Sequence, residues 1–314
     1  MDRFREAIAL RRLSRRTEKA YAGWIRRFIR FHGGRHPRHM AALEIGEFLS
    51  HLATHGRVSA STQSQALSGI LFLYKCVLDL DPGWIEEIPR PRRPARLPVV
   101  LTPAESRAVL GRMGGTPLLV AHLLYGGGLR LLEALQLRIK DLDFASQEIT
   151  VRRGKGAKDR RTILPALAVG PLGEHLTRVR EQHDDDLRDG AGWVALPDAF
   201  GRKVPSAGRE WAWQWVFPAT RIYRDAETGQ RRRHHFHETQ VQRAVRQAAR
   251  DAGMTKRVTP HAFRHSFATH LLLSGHDIRT VQELLGHRDV STTMIYTHVL
   301  NRGPLGVASP LDRL

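Results

Sequence analysis

The chain has 314 residues, 41% of them hydrophobic, with 50 Lys and Arg against 31 Asp and Glu and a formal net charge of +19. This length leaves room for two domains with separate cores, and this charge is typical of a protein that binds a polyanion, most simply nucleic acid. No lipidation motif, basic amphipathic helix with an aromatic face or apolar run of about 18 residues is present, so we expect no membrane contact and a cytoplasmic location.

Amphipathic helical patterns fill the first part of the chain. From Ser14 to His32, aromatic and aliphatic residues recur at spacings of three and four, with basic residues between them. Two similar runs follow, ALEIGEFLSHLATHG and ASTQSQALSGILFLYKCVLDL. We therefore predict a helical domain over residues 1–87. The prolines and arginines of the next stretch, 88–101, favour an extended basic linker.

A second domain is expected over residues 102–314. It opens with LTPAES, in which Thr102 is an N-cap, Pro103 takes the first helical position and Glu105 closes a capping box. Three runs rich in Ile, Val and Thr, IKDLDF, EITVRR and RRTILP, predict a small three-stranded antiparallel sheet. Between the last two, GKGAKD predicts a hairpin turn that carries Lys155 and Lys158. Helices follow, so the predicted class is α+β and mainly helical.

Six dispersed polar residues supply the groups that cleaving a phosphodiester without metal requires. Their side chains are two guanidinium forks, two imidazoles, one amine and one phenol. A guanidinium fork matches two non-bridging phosphate oxygens, and a tyrosine hydroxyl can attack phosphorus and form a covalent phosphotyrosine. The six candidates are Arg130, Lys155, His261, Arg264, His287 and Tyr296.

Proton transfer and attack are assigned to four of the polar side chains. Tyr296 is the predicted nucleophile, and His261 is expected to assist the deprotonation of its phenol. Lys155 is predicted to protonate the leaving oxygen, because guanidinium groups do not release protons. Lys158 belongs to the same turn and could serve instead.

The remaining candidates are expected to stabilise charge. Arg130, Arg264 and His287 would face the negative charge that builds on the phosphorane oxygens. His261 and Arg264 are three residues apart in a helix predicted from Thr259 to Ser274, so they share a face at its start. Glu133, one turn after Arg130, is expected to brace that arginine.

The segments YGGGLRLLEAL, TPHAFRHSFATH and LLGHRDVSTTMIYTH resemble the tyrosine recombinase, or phage integrase, family. The signature of that family is an Arg, a hairpin Lys, His-x-x-Arg, a second His and a Tyr near the C-terminus, and the chain fills every position. The resemblance implies an N-terminal SAM-like core-binding domain that clamps DNA and cleavage through a 3′-phosphotyrosine. It also implies strand exchange in a homotetramer, without a metal or other cofactor. One departure is Gly127 in GGGLR, which we expect to loosen the backbone before the first arginine.

Three further segments resemble integron integrases: RRTEKAYAGWIRRFIRFHGGRHP, GAGWVALPDAFGRKVPSAGREWAWQWVFPA and RRRHHFHETQVQRAVRQAARDAG. The second is an insertion around residues 190–218 that carries four of the six tryptophans in the chain. The resemblance implies that the insertion recognises bases extruded from a folded single strand. Unpaired bases stack well on aromatic rings. The expected DNA-binding residues are Lys158, Trp193, Trp211, Trp215 and His235.

Other interpretations of these segments remain open. The tryptophans could pack an added helix against the body, with Trp211 and Trp215 on one face. His234, His235 and His237 could suggest a metal site, but no Cys or acidic partner lies at ligand spacing, so a basic patch facing DNA, with His235 at an exposed tip, is favoured. The run EQHDDDLRDG is interpreted as solvated surface in preference to a magnesium site.

The sequence thus predicts a site-specific DNA recombinase of integron type that integrates and excises gene cassettes. Its expected substrates are duplex sites and folded single-stranded hairpin sites. The alternative within the family is a phage or Xer-like recombinase that acts on duplex sites only. A type IB topoisomerase would share the chemistry but lack the integron-like segments, and a regulator without catalysis would not need all six candidate residues.

Overall fold

The computed structural model describes residues 2–11, 13–81, 98–152, 159–197 and 200–297. The chain divides into two compact units, Met1–Arg96 and Leu97–Leu314. Most of the predicted linker lies outside the described residues, as do Lys155 and Lys158. Among the residues that are described, no helix is both long enough and apolar enough to cross a membrane.

The first unit is helical, as the amphipathic patterns predict. Ser14 and Ser59 act as N-caps, accepting hydrogen bonds from the amides of Thr17 and Thr62 at 3.1 and 3.3 Å. A π-helical turn, Leu73–Leu78, continues the last helix. The helices are α1 (Asp2–Leu10), α2 (Arg15–Phe31), α3 (Ala42–Thr54) and α4 (Ala60–Phe72).

The core of the first unit forms where the apolar stripes of α2, α3 and α4 meet. Large side chains are buried there almost completely, and their removal from water stabilises the unit. The hydroxyl of Tyr74 lies 2.9 Å from the carbonyl oxygens of both Pro37 and Met40, so its polar end is also satisfied. The most deeply buried large side chains of this core are Phe28, Ile45, Leu52, Ile70 and Tyr74.

The second unit begins at the predicted capping box. The Thr102 hydroxyl accepts from the amide of Glu105 at 3.1 Å, and the Glu105 carboxylate accepts from the amide of Thr102 at 2.8 Å. The helices of this unit are α5 (Pro103–Leu110), α6 (Gly115–Gly126), α7 (Leu131–Leu135), α8 (Ala166–Arg188), α9 (Phe200–Lys203), α10 (Glu238–Asp251), α11 (Pro260–Leu273), α12 (Ile278–Leu285) and α13 (Ser291–Met294).

A small antiparallel sheet lies between α7 and α8, in the order β1-β2-β3. Its strands are β1 (Leu142–Asp143), β2 (Glu148–Val151) and β3 (Arg160–Ile163), and Val151 pairs with Arg160. The predicted α+β class and three-stranded sheet are confirmed. A second antiparallel pair, β4 (Pro218–Arg224) with β5 (Arg231–His235), was not predicted, because these strands are rich in arginine and lack apolar alternation.

The core of the second unit holds α6 and α11 together. Leu123, Leu124 and Phe263 are fully buried within it. The amide of Leu101 donates to the hydroxyl of Ser266 at 2.8 Å, so the segment before α5 is also fixed to α11. This packing places the end of α6, the start of α7 and one face of α11 in a common region, where most of the predicted active-site residues lie.

Candidate active site

Arg130 lies at the N-cap of α7 and is held by Glu133. The Glu133 carboxylate accepts hydrogen bonds from the Arg130 amide at 2.8 Å and from Arg130 Nη1 at 2.6 Å, which confirms the predicted brace. Arg160 donates to the same carboxylate through Nη2 at 2.7 Å and Nη1 at 3.1 Å. Arg264 Nη1 lies 3.7 Å from Glu133 Oε2. One carboxylate therefore holds three guanidinium groups together.

The ionised state of Glu133 is set by these neighbours. Burial alone would raise the pKa of its carboxyl, but the hydrogen bonds and charge of Arg160, with the amide and charge of Arg130, lower the pKa to about 2. The carboxylate is therefore negative at every physiological pH. It offsets the mutual repulsion of guanidinium groups that would otherwise separate.

Gly127 allows a close approach between α6 and β3. A Cβ at this position would lie 2.7 Å from the carbonyl oxygen of Ile163. The carbonyl of Gly127 accepts a hydrogen bond from Thr162 Oγ1 at 2.7 Å. The expectation that this glycine loosens the backbone is wrong, because its missing side chain permits a tight contact just before Arg130.

Arg264 is buried on α11 with only 3% of its surface exposed. Its Nη1 donates to the carbonyl of Gly128 at 2.5 Å, and Nη2 donates to the carbonyl of Leu285 at 2.7 Å. Nη2 also lies 3.1 Å from Nε2 of His287. Burial lowers the pKa of this guanidinium to about 9, with a further contribution from Arg130, and the group remains charged at neutral pH.

His261 shares the start of α11 with Arg264, as the spacing predicts, but its side chain reaches the surface. Partial desolvation, followed by the positive charges of Arg264 and Arg130, lowers the pKa of its imidazole. A neutral imidazole is therefore favoured at the entrance of the site. A neutral imidazole is able to accept a proton.

Tyr296 follows α13 and is almost completely buried, with 1% of its surface exposed. Its ring lies parallel to that of His287, with centroids 6.4 Å apart and an interplanar angle of 15°. His287 Nδ1 is 3.0 Å from the hydroxyl of Thr293. The phenol oxygen of Tyr296 is 2.9 Å from Nδ1 of His265. Burial raises the pKa of the phenol, while the charges of Arg264 and Arg130 oppose this effect.

The structure brings together all of the predicted active-site residues that it describes, namely Arg130, His261, Arg264, His287 and Tyr296. Lys155 lies outside the described residues. Sequence reasoning missed Arg160, His265 and Thr293. His265 could have been found, since it is four residues after His261 and such residues share a helical face. Arg160 could not, because its contact with Glu133 depends on sheet packing.

The insertion does not form the added helix considered for its tryptophans. Trp211–Trp213 is a single 3₁₀ turn, and Trp215 lies in an extended segment that bridges to Arg138. A second bridge joins Trp193 to Arg232 of β5. The predicted common face for Trp211 and Trp215 is therefore wrong, because it assumed α-helical periodicity. The β4-β5 pair follows the insertion in the chain and is joined to it through the Trp193–Arg232 bridge.

A cation lies against each tryptophan ring of the insertion. Contacts of this kind stabilise packing through the charge distribution of the ring. Trp215 is 8% exposed, whereas Trp193, Trp211 and Trp213 are half-buried. The cation-to-centroid distances are 5.5 Å for Arg209 and Trp193, 5.0 Å for Arg180 and Trp211, 2.8 Å for Lys140 and Trp213, and 3.2 Å for Arg138 and Trp215.

His235 is buried, so the exposed tip position expected for it is wrong. Its ring meets the edge of Trp215 at a centroid distance of 5.4 Å, and its Nδ1 is 2.8 Å from the carbonyl oxygen of Phe236. Burial lowers the pKa of this histidine. Within the described ranges, no group of three or more His, Cys, Asp or Glu residues is arranged to hold a metal ion.

A basic surface adjoins the start of α11. A cleft of about 320 Å³ is lined there by His261, Arg246 and Arg257. A neighbouring cleft of about 750 Å³ shares Arg246 and Arg257 and adds Arg243 and Arg250 of α10. Arginine side chains beside a helix N-terminus are well suited to phosphate groups.

We expect Gly286→Ala to destabilise the second unit by about 2 kcal/mol, against about 1 kcal/mol for Gly253→Ala. Both glycines have a left-handed backbone conformation, with φ of +64° at Gly286 and +66° at Gly253. Only at Gly286 would an added Cβ collide with a neighbour, because it would lie 2.6 Å from Arg160 Cδ. Urea unfolding of the two variants measures the difference. Equal losses would show that Arg160 is free to move aside.

Comparison of the sequence with models of known protein families identifies both parts of the chain. A model of the phage integrase family matches residues 111–302, and a model of the phage integrase N-terminal SAM-like domain matches residues 1–84. The chain belongs to the phage integrase family. It is a tyrosine recombinase, an enzyme of site-specific recombination.

Related proteins cover nearly the whole recombinase. An integrase/recombinase of Escherichia coli is 53% identical over 314 residues, which cover 100% of this chain and 93% of that protein. Tyrosine recombinase XerD of Mycobacterium leprae is 34% identical and covers 83% of this chain and 75% of its own length. The Tn1549 transposon integrase in complex with transposon right end DNA shares the fold, with a TM-score of 0.63, 18% identity and coverage of 100% of this chain and 98% of its own.

Proposed function

We propose that this recombinase is of the integron type and integrates and excises gene cassettes, using folded single-stranded hairpin sites as well as duplex sites. The observation that carries the proposal is the insertion around residues 190–218, whose four tryptophan rings each lie against a cationic side chain. A recombinase that reads only a regular duplex has no need of such rings, since paired bases do not expose their faces.

The proposed chemistry uses the groups gathered around Arg264. The phenol oxygen of Tyr296 attacks phosphorus, the bond from phosphorus to the 5′ oxygen breaks, and a 3′-phosphotyrosine forms. His261 takes up the phenol proton, and Lys155 supplies a proton to the leaving 5′ oxygen. The charge on the phosphorane oxygens is stabilised by Arg130, Arg264 and His287.

Binding of DNA is proposed from the charge of the chain and its distribution. The net charge is +19, and the arginines of the two clefts next to His261 offer a basic surface that leads to the active site. Two solved structures with this fold, those of the Tn1549 integrase and of XerH, contain DNA. We further propose that strand exchange takes place in a homotetramer, as the family resemblance implies.

Within the insertion, Trp193 and Trp211 are the proposed partners of extruded bases. Both rings are half-buried, so part of each remains accessible to a ligand. Trp215 and His235 are buried and contact each other, and we assign them the supporting role of holding the insertion in shape. Lys158 remains a proposed phosphate contact.

A recombinase restricted to duplex sites is the second candidate. It is favoured by the 34% identity to XerD of Mycobacterium leprae, since that relative lies within the same family and covers most of the chain. The same residues would carry out cleavage in both cases. The two candidates differ only in what the insertion binds.

A covalent-capture assay separates the two candidates. Nicked substrates of the same site are offered as a duplex and as a folded bottom strand with extrahelical bases, and the adduct is quantified in a denaturing gel. We expect capture of the folded strand to be at least about fivefold more efficient, because one stacked base contributes about 1–3 kcal/mol.

A hairpin from which the extrahelical bases have been deleted is the control for general single-strand affinity. It should lose the advantage, and Trp211→Ala should reduce capture of the intact hairpin without affecting capture of the duplex. Equal capture of hairpin and duplex would instead support the duplex-only candidate.

A further inference from the structure

The nucleophilic tyrosine contacts a histidine outside the family signature. The phenol oxygen of Tyr296 is 2.9 Å from Nδ1 of His265, and the two ring centroids are 5.6 Å apart. His265 is the residue after Arg264 on α11. Among the described residues, no hydrogen bond joins the phenol to His261, the histidine expected from the sequence to act on it.

We propose that His265 is a positioning residue for strand cleavage, whose neutral imidazole accepts the hydrogen bond of the Tyr296 phenol and fixes the attacking oxygen beside Arg264. The inference rests on the proposed role of Tyr296 as nucleophile. It adds to that role a residue that determines where the nucleophile points.

The electrostatic environment gives this hydrogen bond a definite direction. Burial, together with the charges of His261 and Arg264, lowers the pKa of His265 to about 4, so the imidazole is uncharged at neutral pH. Burial also raises the pKa of the Tyr296 phenol, which therefore keeps its proton. The phenol O–H donates, Nδ1 accepts, and the ring proton of His265 resides on Nε2.

The second histidine of the signature is engaged elsewhere. His287 has its Nδ1 3.0 Å from the Thr293 hydroxyl and its Nε2 3.1 Å from Arg264 Nη2, while its ring lies parallel to that of Tyr296. His287 therefore limits the tilt of the phenol ring, and His265 fixes its oxygen. The tilt of the ring and the position of its oxygen must both be fixed for in-line attack, because the cleavage rate falls steeply when the reacting atoms are misplaced.

The test compares His265→Asn with His265→Leu in the full-length protein. The amide oxygen of Asn can take the place of Nδ1 as an acceptor but cannot take up a proton at neutral pH, whereas Leu removes the acceptor. With a nicked substrate under single-turnover conditions, we expect Leu to slow cleavage by about tenfold to thirtyfold, as for one lost buried hydrogen bond. The Asn variant should stay within about threefold of wild type.

A second histidine on α11 provides a matched control. His270 Nδ1 lies 2.9 Å from the hydroxyl of Tyr125, so the same pair of groups is joined at the same distance by a residue of the same helix. His270→Leu should leave the cleavage rate within about twofold of wild type. A similar slowing in His265→Leu and His270→Leu would overturn the proposal, because it would reflect damage to α11.

Two further results would also overturn it. An unchanged cleavage rate in His265→Leu would show that the contact has no role. A cleavage rate in His265→Asn as slow as in His265→Leu would show that His265 acts as the base.

A measurement without DNA separates this inference from the proposed function: 3-fluorotyrosine at position 296 is observed by ¹⁹F NMR. We expect its resonance to shift in His265→Leu and to return towards wild type in His265→Asn, even if no adduct forms.

Discussion

We expect Tyr296→Phe to abolish the covalent protein–DNA adduct with a nicked substrate, to below about one part in ten thousand of the wild-type yield. The substitution removes only the phenol oxygen, and the buried ring keeps its parallel contact with His287. No other group can then form the phosphotyrosine, while DNA affinity should change little. Adduct yield is measured in a denaturing gel, and DNA affinity is measured by mobility shift.

Tyr125→Phe is the matched control for this loss. Tyr125 also places its hydroxyl 2.9 Å from a histidine of α11, and its ring also packs near that helix. Its variant should form the adduct at nearly the wild-type rate. An adduct that persists in Tyr296→Phe would show that another residue attacks phosphorus, and the proposed chemistry would then be wrong.

The parts of the site that the sequence predicts are those set by local rules. Helix periodicity and capping place His261 and Arg264 on one face at the start of α11. The three-stranded sheet follows from its Ile, Val and Thr pattern and its turn residues. Each of these features depends on residues close together in the chain, so one sequence is sufficient to predict it.

The parts that the sequence does not predict depend on contacts between distant segments. Arg160 of β3 bonds to Glu133 of α7, which lies 27 residues earlier in the chain, and nothing in the run RRTILP distinguishes Arg160 from Arg161. The β4-β5 pair was missed because arginines occupy positions where a strand pattern would show apolar residues. Burial of His235 against Trp215 follows from that pair, so the exposed position assigned to this histidine failed for the same reason.

The site also shows why its cations need a structural carboxylate. Arg130, Arg160 and Arg264 converge within a buried region that, before phosphate binds, would strongly disfavour three positive charges. Glu133 supplies the opposing charge and a defined set of acceptor positions. The arginines are thereby preorganised for phosphate, and the free energy of unfolding should depend on the ionisation of this one group.

Glu133→Gln is expected to lower the free energy of unfolding of the second unit by about 3 kcal/mol at pH 7, the equivalent of a carboxyl pKa moved from 4.5 to about 2. The Gln side chain has nearly the same size, but its amide NH₂ would face guanidinium donors. Because the folded pKa lies below the unfolded value, the contribution is complete above pH 4.5 and is lost as pH falls towards 2. The gap between wild type and variant should therefore shrink to less than half by about pH 3.

Glu105→Gln is the matched control for Glu133→Gln. Glu105 closes a capping box of the same kind at α5, and its carboxylate accepts a hydrogen bond from the Thr102 amide at 2.8 Å. That carboxylate meets one partly exposed lysine, Lys256, in place of three arginines, so its loss should cost about 1 kcal/mol or less. Urea unfolding at pH 7 and pH 3 measures all three proteins. A Glu133→Gln loss equal to that of Glu105→Gln, or one independent of pH, would mean that Glu133 acts only as a helix cap and that the arginines converge without its charge.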